Sequence, residues 1–306
     1  MIFRPAVEAE LARVLPLVVA DPACALTADT YRARLADGEY RLDHTWIAED
    51  ASTVLAVAIW WGDTRPEALD AVFVHASVHD PAALAGDLLA AAGEQADFHL
   101  LLPRDWRNQP DVAAAVAWRR EAAGRAGLVA SLERLRYEWT PGVGLPAPSG
   151  RLSFRAEPDD EVFVDLFRQV LAGSLDTTSG REAARVGAAA QARNDVAFYR
   201  DAMLGDRSWW RIGEAPDGKV IGFGVPSRNR AFPVVGYLGV LPEHRGHRYA
   251  DDILGEITRI LASETAPKRI RADTDSTNTP MAAAFERAGY RNYACRLVLS
   301  APGPRR

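Results

Sequence analysis

Cysteine and lysine are almost missing from this chain of 306 residues. Two cysteines, Cys24 and Cys295, cannot build a disulfide framework, and their surroundings lack metal-ligand spacing. Of 36 basic residues only Lys219 and Lys268 are not arginine. With the abundance of alanine, that bias reads as the codon usage of a GC-rich bacterium and not as a nucleic-acid signature. Long apolar runs are missing too: Val54–Trp61 falls far short of the roughly 20 residues that span a bilayer. The start, MIFRPAVEAELARV, carries Glu8 and Glu10 where a targeting leader needs a basic start and an apolar run. An excess of positive charge is also lacking. The net charge of −5 and the absence of a basic stripe disfavour a polyanion or nucleic-acid partner. The expectation is a cytoplasmic, reduced protein with no membrane and no nucleic-acid partner, its oligomeric state left open.

What is present is ordinary globular composition, 48% hydrophobic and 25% charged, which excludes disorder and collagen-like repeats. The length predicts two domains of about 150 residues each. Between Thr140 and Arg151 lies PGVGLPAPSG, with three prolines, three glycines and no charge. Proline removes backbone donors and glycine removes stiffness, so residues 141–150 read as a linker between domains at 1–140 and 151–306. Residues 1–140 hold 13 basic against 21 acidic side chains, whereas 151–306 hold 23 against 20. The asymmetry reads either as drift between the halves or as a sign that only the second half handles a small anionic ligand.

Both halves open alike. Phe3-Arg4, Glu10 and Leu15 recur as Phe154-Arg155, Glu161 and Leu166 at a constant offset of 151. In each, a short strand precedes an amphipathic helix (Leu11, Val14, Leu15, Val18 in the first; Val162, Phe163, Leu166, Phe167, Val170 in the second). Arg125-Ala-Gly127 matches Arg287-Ala-Gly289 further on. The pattern predicts two copies of one fold. In the second, strand 152–156, helix 160–172 and a polar stretch 173–180 precede a helix near 182–204. Strands at 208–214, 219–226 and 234–241, helix 248–263, strand 269–275, helix 279–288 and a strand at 291–299 follow. Alternation of this kind makes an α/β class with a mixed twisted sheet flanked by helices.

The informative segment is VVGYLGVLPEHRGHRYADDILGEITRIL, 234–261. A buried-type strand runs through a short loop into a helix, and such a joint aims unsatisfied N–H groups and the helix dipole at one point, suiting a pyrophosphate. Gly246 permits close approach, while Arg245, His247 and Arg248 add positive character. Helix capping explains a lone Arg-Gly equally well. A second segment, ADTDSTNTPMAAAFERAGY, 272–290, offers a strand end, Asn278, Met281 and then Gly289-Tyr290 closing a helix.

Together the two segments resemble the GNAT superfamily of acyl-CoA N-acyltransferases. The first is similar to its cofactor motif, V-x-P-x-x-R-G-x-x-x-A, here Val240 to Ala250, with Arg248 where the family usually has glycine. The second is similar to its N-x-x-M motif. The resemblance spans roughly 152–299; the same strand order fits 1–140, so the chain resembles a tandem GNAT protein. It implies acetyl-CoA as co-substrate and no metal. Leu238, Gly239 and Val240 would present backbone groups to the pantetheine arm, and Arg245, Gly246, His247, Arg248, Tyr249 and Ala250 would hold the pyrophosphate. Asn278 would bond the cofactor's amide portion, its alternative being the N-cap of a helix begun by Thr279 and Pro280. Phe285 would pack near the thioester; plain core packing is the alternative for it and for Met281. The first copy, with DAVFVHASVHDPAALAGDLLAAA at 70–92, lacks the Arg-Gly pair and reads as a degenerate GNAT-like domain whose Asp80 and Asp87 repel phosphates. His75 and His79 fall on a strand and its exit, which favours a surface or core pair over a metal site.

The resemblance breaks down at catalysis. Where many members have a tyrosine acid, this chain has Phe285, and the 234–241 strand carries no carboxylate. Asp273 and Asp275, alternate residues on one strand face, are the catalytic candidates for steering or deprotonating a cationic amine; turn and cap chemistry is their alternative. Asp176 and Tyr199 are acceptor-binding candidates, with Trp209 and Trp210 as pocket walls or core. The expected function is N-acetyl transfer from acetyl-CoA to a small-molecule amine. The alternatives are a CoA-binding sensor or other non-catalytic protein, and transfer to a protein or peptide amine.

Overall fold

The computed structural model describes residues 1–94 and 96–302. Among them twelve strands follow in chain order: β1 (Ile2–Pro5), β2 (Tyr40–Asp50), β3 (Thr53–Trp61), β4 (Ala68–Val74), β5 (Asp97–Pro103), β6 (Ala130–Trp139), β7 (Ser153–Arg155), β8 (Arg211–Glu214), β9 (Val220–Arg228), β10 (Pro233–Val240), β11 (Ile270–Asp275) and β12 (Arg291–Ser300). Helices alternate with them, and the sheet pairing is mixed. β4/β5 and β10/β11 pair parallel, and the other neighbours within each unit pair antiparallel. No helix among the described residues is long and apolar enough to cross a membrane.

The chain forms two compact units, Met1–Glu133 with Ala294 onward, and Arg134–Tyr293. They do not follow the two sequence halves: each contains a strand from the other half. In the first unit β12 pairs with β5, Ala294↔Pro103 through Leu299↔Phe98, and Cys295, Leu297 and Leu299 enter its core. In the second unit β6 pairs with β11, Ile270↔Trp139 through Asp275↔Arg134. The charges explain this second pairing. Register sets Arg271 against Glu138, Asp273 against Arg136 and Asp275 against Arg134, three opposite-charge pairs directly across the ladder. On the other face Tyr137 and Trp139 join the core with Ile270 and Ala272.

In the first unit the helices Pro81–Ala92 and Pro110–Arg125 pack on one sheet face, and the short helical turns near the N-terminus on the other. The amphipathic helix expected at Leu11–Val18 is cut short. Leu11–Val14 is α-helical and Leu15–Leu17 is a 3-10 turn, because Pro16 has no N–H to continue the ladder.

In the second unit the helices Tyr249–Thr265 and Thr279–Arg287 cover one face, and Asp160–Val170 and Ala188–Ala197 the other. The helix expected near 182–204 starts earlier and is broken. Asp176 caps Thr177–Val186 by accepting the Ser179 N–H at 2.8 Å. Gly187, at φ +89°, ends that helix, and Ala188–Ala197 runs into a π-helical turn, Phe198–Ala202. The strand expected from 208 begins at Arg211, because Asp206 captures the Ser208 N–H at 2.7 Å and turns Arg207–Trp209 into a 3-10 turn.

The 141–150 segment is no free tether. Trp139 Nε1 donates to the Gly144 carbonyl at 3.3 Å, and Val143 lies where a side chain at Gly289 would be, 2.4 Å from an added Cβ.

Candidate functional site

Among the described residues the parallel strands β10 and β11 pair only at Val234↔Arg271, although β10 runs on to Val240 and β11 to Asp275. The other edge of β10 is paired with β9 as far as Val240↔Gly222. The β11-facing edge of β10 is therefore left with backbone groups that its neighbour does not satisfy. Gly236 forms a bulge between the Val235 and Tyr237 pairings, which bends the strand where the two part. Tyr199 fixes the bulge, its hydroxyl donating to the Gly236 carbonyl at 2.7 Å. A Cβ at Gly236 would meet the Val225 carbonyl at 2.7 Å, and one at Gly239 the Phe223 ring at 2.8 Å, so neither position admits a side chain without movement.

Beyond β10 the loop turns into the helix Tyr249–Thr265. Gly246 lies at φ +84° and Arg248 at φ +60°. Left-handed residues interleaved with right-handed or extended ones fold successive N–H groups into a concavity for an anion, here at a helix N-terminus. Arg248 adopts a left-handed conformation that glycine would hold without strain.

A cavity of about 540 Å³ opens at this point, within the usual size for a small-molecule site. Leu238, Gly239 and Val240 line it, as do Arg245, Gly246, Arg248, Tyr249, Ala250 and Asn278. Two expected cofactor residues are not on its wall. His247 is exposed, its ring 6.1 Å from that of Tyr249. Phe285 is 2% exposed, stacked on Tyr137 at 4.9 Å and against Tyr290 at 5.4 Å. Its place is the core because the helix turns it inward beneath the sheet. The sequence reading missed the loop Gly173–Leu175 and Tyr237, both on the wall; for Tyr237 the signal was its being the one polar side chain in an apolar strand.

Arg245 does not stand free for a phosphate. Nη2 donates to the Val170 carbonyl at 2.7 Å, Nη1 to Ala172 at 2.6 Å and Nε to Val240 at 3.1 Å. It satisfies orphan carbonyls at the end of the helix Asp160–Val170 and ties them to the end of β10. Asn278 is the N-cap of Thr279–Arg287, its Oδ1 accepting the Met281 N–H at 3.3 Å, and it still faces the cavity.

Asp273 and Asp275 do share a face, and Arg134 lies between them. Arg134 donates to Asp273 at 3.2 Å, and its Nε stands 3.5 Å from Asp275. Burial pulls the Arg134 guanidinium down, but Asp273, Asp176 and Asp275 outweigh it and hold it above the ordinary value. The Asp275 side chain is 1% exposed, and its Oδ2 accepts the Thr177 N–H at 2.7 Å. It anchors the start of the helix that Asp176 caps. This pair thus shares a cation, Arg134, that β6 delivers from the first sequence half.

Asp195 is a carboxylate that the sequence reading did not single out. Its Oδ1 accepts from Gln191 at 2.8 Å, and its Oδ2 is buried with no hydrogen-bond partner among the described residues. Burial, reinforced by Asp176, pushes its carboxyl up to about 6. Tyr237 packs on Phe167 at 4.6 Å and Phe223 at 5.7 Å. Burial and the charges of Asp176 and Asp195 raise its hydroxyl well above the ordinary range. Tyr199 is raised likewise, first by burial and then by Tyr237. Trp210 is core, edge-on to Phe163 at 5.0 Å.

The first unit treats the same place differently. β4 and β5 pair at Ala68↔Asp97 and Leu69↔Phe98, and just beyond, the wholly buried Arg119 donates to the Val72 carbonyl at 2.9 Å. It also pairs with Asp21 at 2.7 Å and lies 4.1 Å over Trp118. His75 bonds Ser77 at 2.7 Å, and no metal-binding cluster occurs among the described residues.

Residues 183–290 carry a domain matching the Acetyltransferase (GNAT) family. The whole-chain fold is similar to that of a GCN5-related N-acetyltransferase from Sphaerobacter thermophilus, at 16% identity and TM-score 0.57 over 99% of this chain and 96% of that one. It is also similar to a tandem GNAT protein from the clavulanic acid biosynthesis pathway, at 16% identity and TM-score 0.51 over 99% of both chains. No curated protein matches the sequence.

Proposed function

We propose that this chain, a tandem arrangement with a GNAT-family domain in its second half, transfers an acetyl group from acetyl-CoA to the amine of a small molecule, and that only the second unit does so. The observation that supports it most is the open edge of β10 running into a loop of left-handed residues at a helix N-terminus, with a cavity along both. Backbone groups of Leu238, Gly239 and Val240 suit the amides of pantetheine as an added strand would. The N–H groups of the loop suit the pyrophosphate. In the first unit the buried Arg119 bonds the Val72 carbonyl of β4 beyond the β4/β5 pairing, which supports reading that unit as scaffold.

Acetyl-CoA supplies an activated thioester. The chain's part is to bind it, to keep water away and to manage one proton of the acceptor's ammonium. Asp195 is not on the cavity wall, but burial and Asp176 raise its carboxyl and its charge reaches Tyr237, which is on the wall; it is the carboxylate we assign to that task. Tyr237, on the cavity wall and protonated, is the hydroxyl we assign to hydrogen-bond the departing sulfur, whose proton comes from the acceptor's ammonium. Phe285 cannot make that bond.

A second reading, binding without turnover, draws support from the buried Phe285 and the ion-paired Asp273 and Asp275. Calorimetric titration of the full chain with CoA should give one site per chain; two sites, or none, would refute the assignment. Thiol release from acetyl-CoA with an amine panel then separates enzyme from binder, and silence across the panel favours the binder.

A further inference from the structure

The segment that follows the first sequence half lies along the helix Tyr249–Thr265. Arg259 Nη1 donates to the carbonyls of Pro146 at 3.3 Å and Ala147 at 2.7 Å. Ser149 Oγ donates to Asp252 at 2.7 Å and accepts the N–H groups of Arg151 at 3.0 Å and Leu152 at 2.9 Å. These bonds deliver Arg151 to the loop that precedes the helix. Its Nη1 donates to the His247 carbonyl at 2.9 Å and its Nη2 to the Arg248 carbonyl at 3.3 Å. It also pairs with Asp252, and its guanidinium lies 4.7 Å over the Tyr249 ring.

The two carbonyls belong to the peptide units on either side of Arg248. A trans peptide sets its C=O and N–H on opposite sides. Turning both carbonyls toward Arg151 therefore turns the N–H groups of Arg248 and Tyr249 away from it, and both residues line the cavity. Arg248 itself is left-handed, at φ +60° and ψ +22°. For a side chain with a Cβ that conformation is strained, and it persists only where the surroundings over-determine it. Arg151, with two bonds to the loop, an ion pair to the first turn of the helix and a ring contact, is such a surrounding.

We propose that Arg151 is a positioning residue for the phosphate-binding loop: it pins the peptide groups flanking Arg248 so that the N–H groups of Arg248 and Tyr249 are presented to the cofactor's pyrophosphate. This rests on the reading of the cavity as a CoA site. The proposal separates orientation from charge. Lysine keeps the cation but lacks the planar fork that spans two carbonyls and a carboxylate at once, so it should not substitute.

The test is calorimetric titration of the full chain and its Arg151→Ala and Arg151→Lys variants with CoA. Pantetheine, which has no pyrophosphate, is the control ligand. Both variants should bind CoA about tenfold more weakly than wild type and pantetheine equally well. Should Arg151→Ala fail to fold, Arg151→Lys carries the comparison. Unchanged CoA affinity, recovery by lysine, or an equal loss of pantetheine binding would each overturn the role of Arg151 while leaving the site intact. A wild-type chain that binds no CoA would overturn the reading of the site and this inference with it.

Discussion

Asp195→Asn probes a carboxylate in the second unit that burial holds toward its protonated form. The wild-type carboxyl rises from an ordinary 3.8 to about 6, chiefly through burial, with Asp176 adding repulsion and the Gln191 bond opposing. A rise of that size corresponds to about 3 kcal/mol against the folded anion. The group keeps some contact with solvent, and screening brings the expected figure to about 1–2 kcal/mol. The direction follows from linkage. A folded value above the unfolded one means that the folded chain holds the proton more tightly, so stability is greatest below about 4 and falls as pH rises toward about 6. Asparagine keeps the shape and an acceptor for Gln191 but cannot ionise. Urea unfolding should therefore find Asp195→Asn more stable than wild type by about 1–2 kcal/mol at pH 7.5, with the gap closing at pH 4. If Asp195 also takes the acceptor's proton, the variant's thiol release should fall, and the rise in wild-type rate centred near pH 6 should disappear from its profile. A variant less stable at pH 7.5, or one whose gap is the same at both pH values, would refute the buried-anion argument.

Arg245→Ala should lower stability as well as weaken CoA binding, because it strips three carbonyls of a charged donor. A loss of about 2–3 kcal/mol is expected in denaturant unfolding without ligand, and an unchanged midpoint would return Arg245 to the role of a simple phosphate contact. A fragment of residues 151–306 should show no cooperative thermal transition by circular dichroism, since it lacks the six β6 residues Arg134–Trp139 that close the edge of β11. A fragment of 134–293 should show one. A sharp transition in the shorter fragment would mean that β12 closes that edge instead.

The local geometry of the candidate site was legible in the sequence. A strand that ends in a Pro-x-x-Arg-Gly loop before an amphipathic helix carries its own geometry, because the loop's glycine, the helix N-terminus and the strand's apolar alternation are short-range features. The same holds for Asn278, whose cap depends on three successive residues, and for the α/β alternation of both halves. What lay beyond the sequence depended on partners far along the chain. Both β6 and β12 could close an edge strand, and the exchange was decided by register: Arg134, Arg136 and Glu138 meet opposite charges on β11, while Cys295, Leu297 and Leu299 of β12 meet an apolar ladder on β5. Arg245 looked like a phosphate ligand until the fold brought the carbonyls of Val170 and Ala172 to it. Asp273 and Asp275 looked free until β6 placed Arg134 between them. Asp195 carried no signal at all in the sequence, because its proton affinity comes from lost water and a neighbouring charge, and desolvation exists only once the helices have packed.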